Sequence, residues 1–593
     1  MAATVVLILL VLALVNFSRE WLPIDVFSLL LISTLVATGV LGPEKAFLGF
    51  ANSSIVMIAG VMLLTGAVVH NGAARAISRR IDVVAGRSEP KAAAFLYTLV
   101  NLVSAFINNV AATAMFIPVA EGIARRYRVN RGKYLMAVAF ASMTGGMCTL
   151  IGTSTNVAVS GAMEQFGLEQ LSLFELAPVG IAVALVGVGY LLWVAPAILR
   201  LPPAEEAALD AYGVRGFLFE LLVRPGSPLA GRSLAEADLA ALFGVNVLAI
   251  HRGDERIDAP DGREVLEAGD LLLVEGQASA ITRLATEEGV SVKSFADPAS
   301  EELGRGKARI FEATVSYNSL LLGRSLKQTE FRRRFRLSVL AIHRSGESLV
   351  EKVGKIPLRQ GDVLLLYGRE EMVRGLANEP NMLIVEDAPL PPHYGRRALG
   401  AICFFAAAIL CSTFGWLDAP TAFLAGGALV LATRCLTVEE AAAYLNLRFL
   451  IMLAGMIALG MGMEDSGAAR MIADRLVEWA SPAGPLALVA VFFLLTVVLT
   501  QPLNNAAAAL LVLPIAVTAA RSMGLDPRPF AVATGLGASC SFLTPFEPAC
   551  LLVYGTGRYR FYDFARVGGP LTLLAFLVAM ALIPRFWPIV PLP

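Results

Sequence analysis

The chain has 593 residues, 56% of them hydrophobic and only 16% charged, with a mean hydropathy of +0.67. Its 48 Lys+Arg balance 48 Asp+Glu, so bulk charge indicates no nucleic-acid partner, and the apolar excess excludes an ordinary soluble domain. The six cysteines (148, 403, 411, 435, 540, 550) all lie in apolar stretches. They have neither zinc-site spacing nor a disulfide pattern, so they read as small core residues.

In chain order, apolar segments near 3–17, 24–42 and 52–70 are each long enough to cross a bilayer. Residues 3–16 lack a basic leader and a cleavage motif, and so read as a first span rather than a signal peptide. Arg75, Arg79, Arg80, Arg87 and Lys91 then mark a cytoplasmic loop, and Arg125, Arg126, Arg128, Arg131 and Lys133 a second one. The apolar stretch 92–120 between them begins and ends on the same side, which predicts a re-entrant hairpin broken at Asn108. A span at 133–157 loosens at Gly152–Asn156. An acidic loop follows (Glu164, Glu169, Glu175), then a return span at 176–199, which leaves the polar middle in the cytoplasm. Spans near 398–413, 420–435 and 448–463, a hairpin at 484–520, and spans at 528–555 and 568–588 repeat the arrangement upside down. The expected fold is an α-helical polytopic inverted repeat of ten spans and two opposed hairpins, with two small cytoplasmic α+β domains between the halves. Arg521 and Arg528, placed outside, run against the charge rule.

The two hairpins carry the same message. Phe106-Ile-Asn-Asn-Val-Ala-Ala-Thr-Ala-Met-Phe-Ile-Pro118 and Pro502-Leu-Asn-Asn-Ala-Ala-Ala-Ala-Leu-Leu-Val-Leu-Pro514 superimpose at an offset of 396, aligning Asn108 with Asn504 and Asn109 with Asn505. An Asn pair can simply glue helices together. Matched breaks in two halves point instead to a transporter's midplane site, where half-helix ends attract an anion and amide oxygens suit a sodium ion. Asn is also among the best N-caps. Glu547, between Pro545 and Pro548 in an apolar run and aligned with Thr153, is costly enough in a span to be a functional candidate. Its open roles are cation ligation, proton coupling, a hydrogen bond to freed backbone, or exposure to a wet vestibule.

The polar middle contains its own duplication at an offset of 92: Ser227–Leu234 with Ser319–Leu326, Val247–Arg252 with Val339–Arg344, and Gly269–Val274 with Gly361–Leu366. Short β-rich runs bounded by Gly-Asp turns predict two α+β units with no dinucleotide fingerprint. His251 and His343 are repeat-equivalent and read as structural strand residues.

On these motifs both membrane blocks, about 400 residues, resemble the divalent-anion/sodium symporter family of sodium–sulfate and sodium–dicarboxylate carriers. The middle resembles a pair of C-terminal domains of potassium-conductance regulators (RCK-C), a combination typical of the family's sulfate-permease-like branch. The domains expected are 1–200 and 393–593 for the membrane repeats, and 201–300 and 301–392 for the RCK-C-like units. The family's Ser-Asn-Thr tips correspond here to Asn108, Asn109 and Val110, and to Asn504, Asn505 and Ala506. The partner loop Gly152, Thr153, Ser154, Thr155 and Asn156 fits the family motif, whereas Thr544, Pro545, Glu547 and Cys550 depart from it. The resemblance implies Na⁺ (or H⁺) as coupling ion, held at Asn109, Gly152, Asn505 and Glu547, and no other cofactor. It also implies an elevator-type homodimer in the plasma (inner) membrane that carries a divalent anion. Sulfate is favoured, with C4 dicarboxylates or a transport-derived anion sensor as alternatives, and analogy adds a small regulatory ligand on the cytoplasmic units. A regulated potassium channel fails because no filter motif appears, and no constellation points to an enzyme.

Overall fold

The computed structural model describes residues 2–19, 21–71, 88–127, 129–199, 396–557 and 559–591, and most of 218–295 and 308–384. The basic loop expected at 75–87, and Arg128, lie outside the described residues.

The first block contains α1 (Ala2–Arg19), α2 (Ile24–Ala37), α3 (Ser53–His70), α4 (Glu89–Ser104), α5 (Asn109–Tyr127), α6 (Gly132–Gly146), α7 (Ser154–Gln165) and α8 (Ala177–Trp193). The second contains α9 (Arg396–Thr413), α10 (Ala419–Ala432), α11 (Leu447–Asp465), α12 (Ala468–Ala480), α13 (Pro485–Leu499), α14 (Asn505–Ser522), α15 (Arg528–Ala538), α16 (Pro548–Thr556) and α17 (Phe561–Phe586). Five described helices are long and apolar enough to cross a membrane, and several shorter ones are comparably apolar. Helix α12 was not expected. Its amphipathic sequence lacks the apolar run that marks a span, and the first-half positions it corresponds to fall outside the described residues. The helix after Gly152 also runs to Gln165, beyond the expected end of its span.

Small residues let the helices approach closely. A Cβ on Gly60 of α3 would meet the Phe423 backbone of α10, and one on Gly455 of α11 would lie 2.6 Å from Ser28 Cβ of α2. Lys133 Nζ and Tyr134 Oη lie 2.6 and 2.8 Å from Glu89 Oε1, which ties the base of the first hairpin to the first turn of α6. Arg528 forks onto Glu175 at 2.7 and 2.9 Å, and Arg521 pairs with Glu464 at 3.3 Å. The two arginines that run against the charge rule are therefore neutralised by acidic groups at the same end of the helical block.

Between the blocks stand two five-stranded antiparallel sheets. β1 (Leu218–Val223), β2 (Asn246–Arg252), β3 (Glu255–Asp258), β4 (Leu271–Glu275) and β5 (Val290–Phe295) are ordered β3-β2-β4-β1-β5. β6 (Ala308–Val315), β7 (Ser338–Arg344), β8 (Glu347–Leu349), β9 (Val363–Arg369) and β10 (Met382–Ile384) take the same topology, β8-β7-β9-β6-β10. Even the register shift recurs, at Val247/Ala249 and at Val339/Ala341. Each sheet is pinned by a buried aspartate: Arg252 grips Asp270 at 2.9 and 2.8 Å, and Arg344 grips Asp362 at 2.8 and 2.7 Å. Hydrogen bonding to these carboxylates pushes both guanidinium groups above their ordinary range. His251 and His343 lie on β2 and β7.

Candidate functional site

Each hairpin tip divides its two asparagines between two tasks. Asn108 Oδ1 accepts from Val110 N at 2.8 Å, and Asn504 Oδ1 accepts from Ala506 N at 3.0 Å, so the first asparagine caps the half-helix. The second faces a hydroxyl five residues back: Ser104 Oγ donates to Asn109 Oδ1 at 3.0 Å, and Thr500 Oγ1 lies 2.7 Å from Asn505 Oδ1. Capping leaves the second amide oxygen free of helix work. Asn109 is buried and Asn505 half-buried, while Val110 and Ala506 fill the first turns.

The first tip meets the break between α6 and α7. A Cβ on Gly146 would run into Asn109 Oδ1 and lie 3.3 Å from Gly152 O. One on Gly152 would lie 2.6 Å from Gly146 O and 3.0 Å from Ala105 O. Thr149 Oγ1 donates to Ala105 O and accepts from Gly152 N at 3.1 Å. Asn156 Nδ2 donates to Gly146 O (3.2 Å) and Thr149 O (2.9 Å), leaving its buried Oδ1 without a hydrogen-bond partner. Thr153 caps α7 through Thr155 N at 3.3 Å, and Ser154 and Thr155 form that helix's first turn. Neutral oxygens thus crowd one small space that two glycines keep open. That donor set suits a hard monovalent cation, whereas no group of three His, Cys, Asp or Glu able to hold a metal occurs among the described residues.

The second tip meets the break between α15 and α16 through different atoms. Thr500 Oγ1 also reaches Ala538 O at 3.0 Å, Gln501 Nε2 donates to Cys540 O at 3.3 Å, and Thr544 Oγ1 lies 3.3 Å from Gln501 O. Glu547 caps α16: its buried Oε2 accepts from Ala549 N at 2.6 Å and Cys550 N at 3.3 Å. Pro545 is buried in the break. Cys550, aligned with Asn156, packs its Sγ 3.5 Å from Met143 Sδ and, among the described residues, ties down no carbonyl.

The halves interlock: α5 packs on α16, and α14 packs on α7. Four capped half-helix ends, at Asn108, Thr153, Asn504 and Glu547, therefore belong to one packed body, although no hydrogen bond joins the two tips among the described residues. Sequence reasoning missed Ser104, Gly146, Thr149, Thr500 and Gln501. The pair Ser104 and Thr500 could have been found, since the offset of 396 aligns two hydroxyls five residues before Asn109 and Asn505.

Residues 8–537 match the family described as citrate transporter, CitMHS. The chain is 32% identical to an uncharacterized transporter of Synechocystis over 597 residues, 99% of this chain and 97% of that protein. It is 22% identical to sodium/sulfate cotransporter 2 of Chlamydomonas reinhardtii over 780 residues, 96% of this chain and 88% of that one. A solved RCK domain of GsuK aligns with 35% of this chain and 78% of its own at 13% identity, with a TM-score of 0.14, too slight a likeness to bear on the α+β units. The chain belongs to the CitMHS citrate-transporter family, of divalent-anion/sodium symporter type, and is a membrane transport protein, not an enzyme.

Proposed function

We propose that the protein is a cation-coupled symporter of a divalent anion, with sulfate as substrate and sodium as coupling ion. The observation that carries this reading is the duplicated tip: a capping asparagine followed by one whose amide oxygen, accepting a single hydroxyl hydrogen bond, keeps a second lone pair for a ligand, in both hairpins. Half-helix N-termini attract an anion without any fixed cationic side chain, and the oxygens around Asn109, Gly146, Gly152 and Asn156 suit sodium. On this reading Asn109 and Gly152 hold one cation, and Asn505 and Glu547 a second. The two blocks form an inverted repeat whose hairpins and broken helices slide as one body against a dimeric scaffold in the plasma membrane. The RCK-C-like units, 201–300 and 301–392, lie in the cytoplasm and regulate. The sodium/sulfate cotransporter relative supports sulfate, while the citrate-transporter family supports a second reading in which a carboxylate such as succinate is carried.

The test is uptake of labelled sulfate, succinate, citrate and aspartate into proteoliposomes, with and without an inward sodium gradient. Sodium-driven sulfate accumulation is expected. Preference for a carboxylate would move the substrate, and no uptake of any anion under sodium or proton gradients would overturn the symporter reading in favour of an anion sensor.

A further inference from the structure

The second α+β unit touches the helical body at the turn before β9. Gly361 in that turn has φ +79°, and a Cβ there would lie 2.7 Å from Leu551 Cγ of α16. Facing it, a Cβ on Gly555 would collide with Val363 Cγ2 and lie 3.4 Å from Gly361 O. Two glycines, one on each surface, thus allow contact at backbone level. The internal repeat supplies a control. Gly269, 92 residues earlier, has φ +96° and, among the described residues, no atom within 4 Å of its Cβ position. Both units need the Gly-Asp turn to seat their buried aspartates, but only the second uses it to grip a helix. Leu551 and Gly555 lie four residues apart on one face of α16, and Glu547, four residues before Leu551, is that helix's N-cap. Leu551 lies one turn, about 6 Å, beyond the carboxylate that caps the candidate site.

We propose that this contact is a brake: the second α+β unit latches α16 in the position seen here, and each transport cycle must break the latch. The proposal rests on the reading of α16 as part of the sliding body. An adjustment of the second unit that withdraws the turn would free α16 directly, with no long relay, because the gripped residues and the site residue share one short helix.

The experiment uses the full chain carrying Val363→Cys and Gly555→Cys, whose Cβ positions lie 3.6 Å apart, within disulfide range. Oxidation should form an internal link, detected by mass spectrometry and absent from either single variant. Sodium-driven labelled sulfate uptake should fall to background when linked and recover with reductant. Linked protein that transports at the reduced rate, or a pair that never links in the membrane-embedded carrier, would overturn the brake. As a second measurement, Leu551→Ala should raise the maximal uptake rate several-fold at unchanged apparent sulfate affinity, and an unchanged rate would also overturn it. Wild-type protein that takes up no anion in the same vesicles would sink the transport reading and the brake together, an outcome distinct from wild-type transport with an ineffective link.

Discussion

The two halves of the candidate site share their tips and differ in their partner loops. In the first half, Asn156 ties down the carbonyls of Gly146 and Thr149 and keeps a buried oxygen in reserve, and Thr153 caps the half-helix with a neutral hydroxyl. In the second, Cys550 contacts a methionine sulfur, and the cap is the carboxylate of Glu547. Duplication has kept the tips, which on the symporter reading would face an anion, and varied the loops, which would face cations. The magnitudes matter here. A fixed negative charge about 4 Å from one charge of an anion costs roughly 4 kcal/mol at an effective dielectric of 20. The dipole of a nine-residue helix offsets only about 1 kcal/mol of that. On the symporter reading, a divalent anion that close to an ionised Glu547 would need a cation, sodium or proton, between them, whereas the first half would work with neutral donors alone.

The largest effects are expected at the tips. Asn109→Ala and Asn505→Ala should each abolish coupled uptake while leaving thermal stability close to wild type, because neighbouring residues do the capping. Asn108→Ala should behave the opposite way, losing about 1 kcal/mol of stability with its cap and retaining part of the uptake. Wild-type uptake by both ligand variants would remove the asparagines from the site. Next in size is Gly146→Ala, whose methyl group would strike Asn109 Oδ1. It should raise the sodium concentration needed for half-maximal uptake by at least tenfold, the equivalent of about 1.4 kcal/mol. An unchanged sodium requirement would show that the first-half oxygens do not hold the ion.

In the second half, Glu547→Gln separates a carboxylate that caps from one that couples. An amide oxygen can still cap α16, so the fold should survive and anion binding persist. If the carboxylate holds sodium, sodium affinity falls and the pH profile stays put. If it holds the coupling proton, the pH dependence of uptake flattens. A variant unchanged in both respects would reduce Glu547 to a cap, which is the role its two backbone hydrogen bonds already give it.

Much of this architecture is legible in the amino-acid sequence, for physical reasons. The hairpin breaks were readable because an Asn pair inside an apolar run has few explanations, and the offset of 396 doubled the signal. The α+β duplication was readable because Gly-Asp turns and β-rich runs recur at 92. Helix α12 was not, since an amphipathic helix lying outside the spans offers no long apolar segment. The division of labour within each tip was also hidden: a sequence cannot say which of two adjacent amides turns back to its own backbone. Glu547 was visible as an anomaly, but its capping role depends on the bend at Pro545–Pro548 placing its carboxylate over Ala549 N and Cys550 N. The contact of Gly361 with Leu551 joins residues 190 positions apart and has no sequence signature beyond two glycines that look ordinary.

The smallest expected effect tests the asymmetry itself. Cys550 occupies the position of Asn156, so a strict repeat would make it a ligand. Its surroundings say otherwise: the side chain is fully buried, its sulfur lies 3.5 Å from Met143 Sδ, and among the described residues it organises no carbonyl. Cys550→Ala should therefore behave as a small cavity in a helix contact, costing about 1 kcal/mol of stability, with sodium and anion dependence unchanged. Cys550→Asn is the informative companion. If the second half merely lacks its amide, restoring it should strengthen sodium binding. If Glu547 already supplies the charge, an extra amide beside Met143 buries an unsatisfied polar group and costs about 1–3 kcal/mol of stability with no gain in coupling. The second outcome is expected, because a carboxylate and an amide at these positions would serve the same cation twice. Loss of sodium dependence in Cys550→Ala would overturn that division and make the second loop a variant of the first.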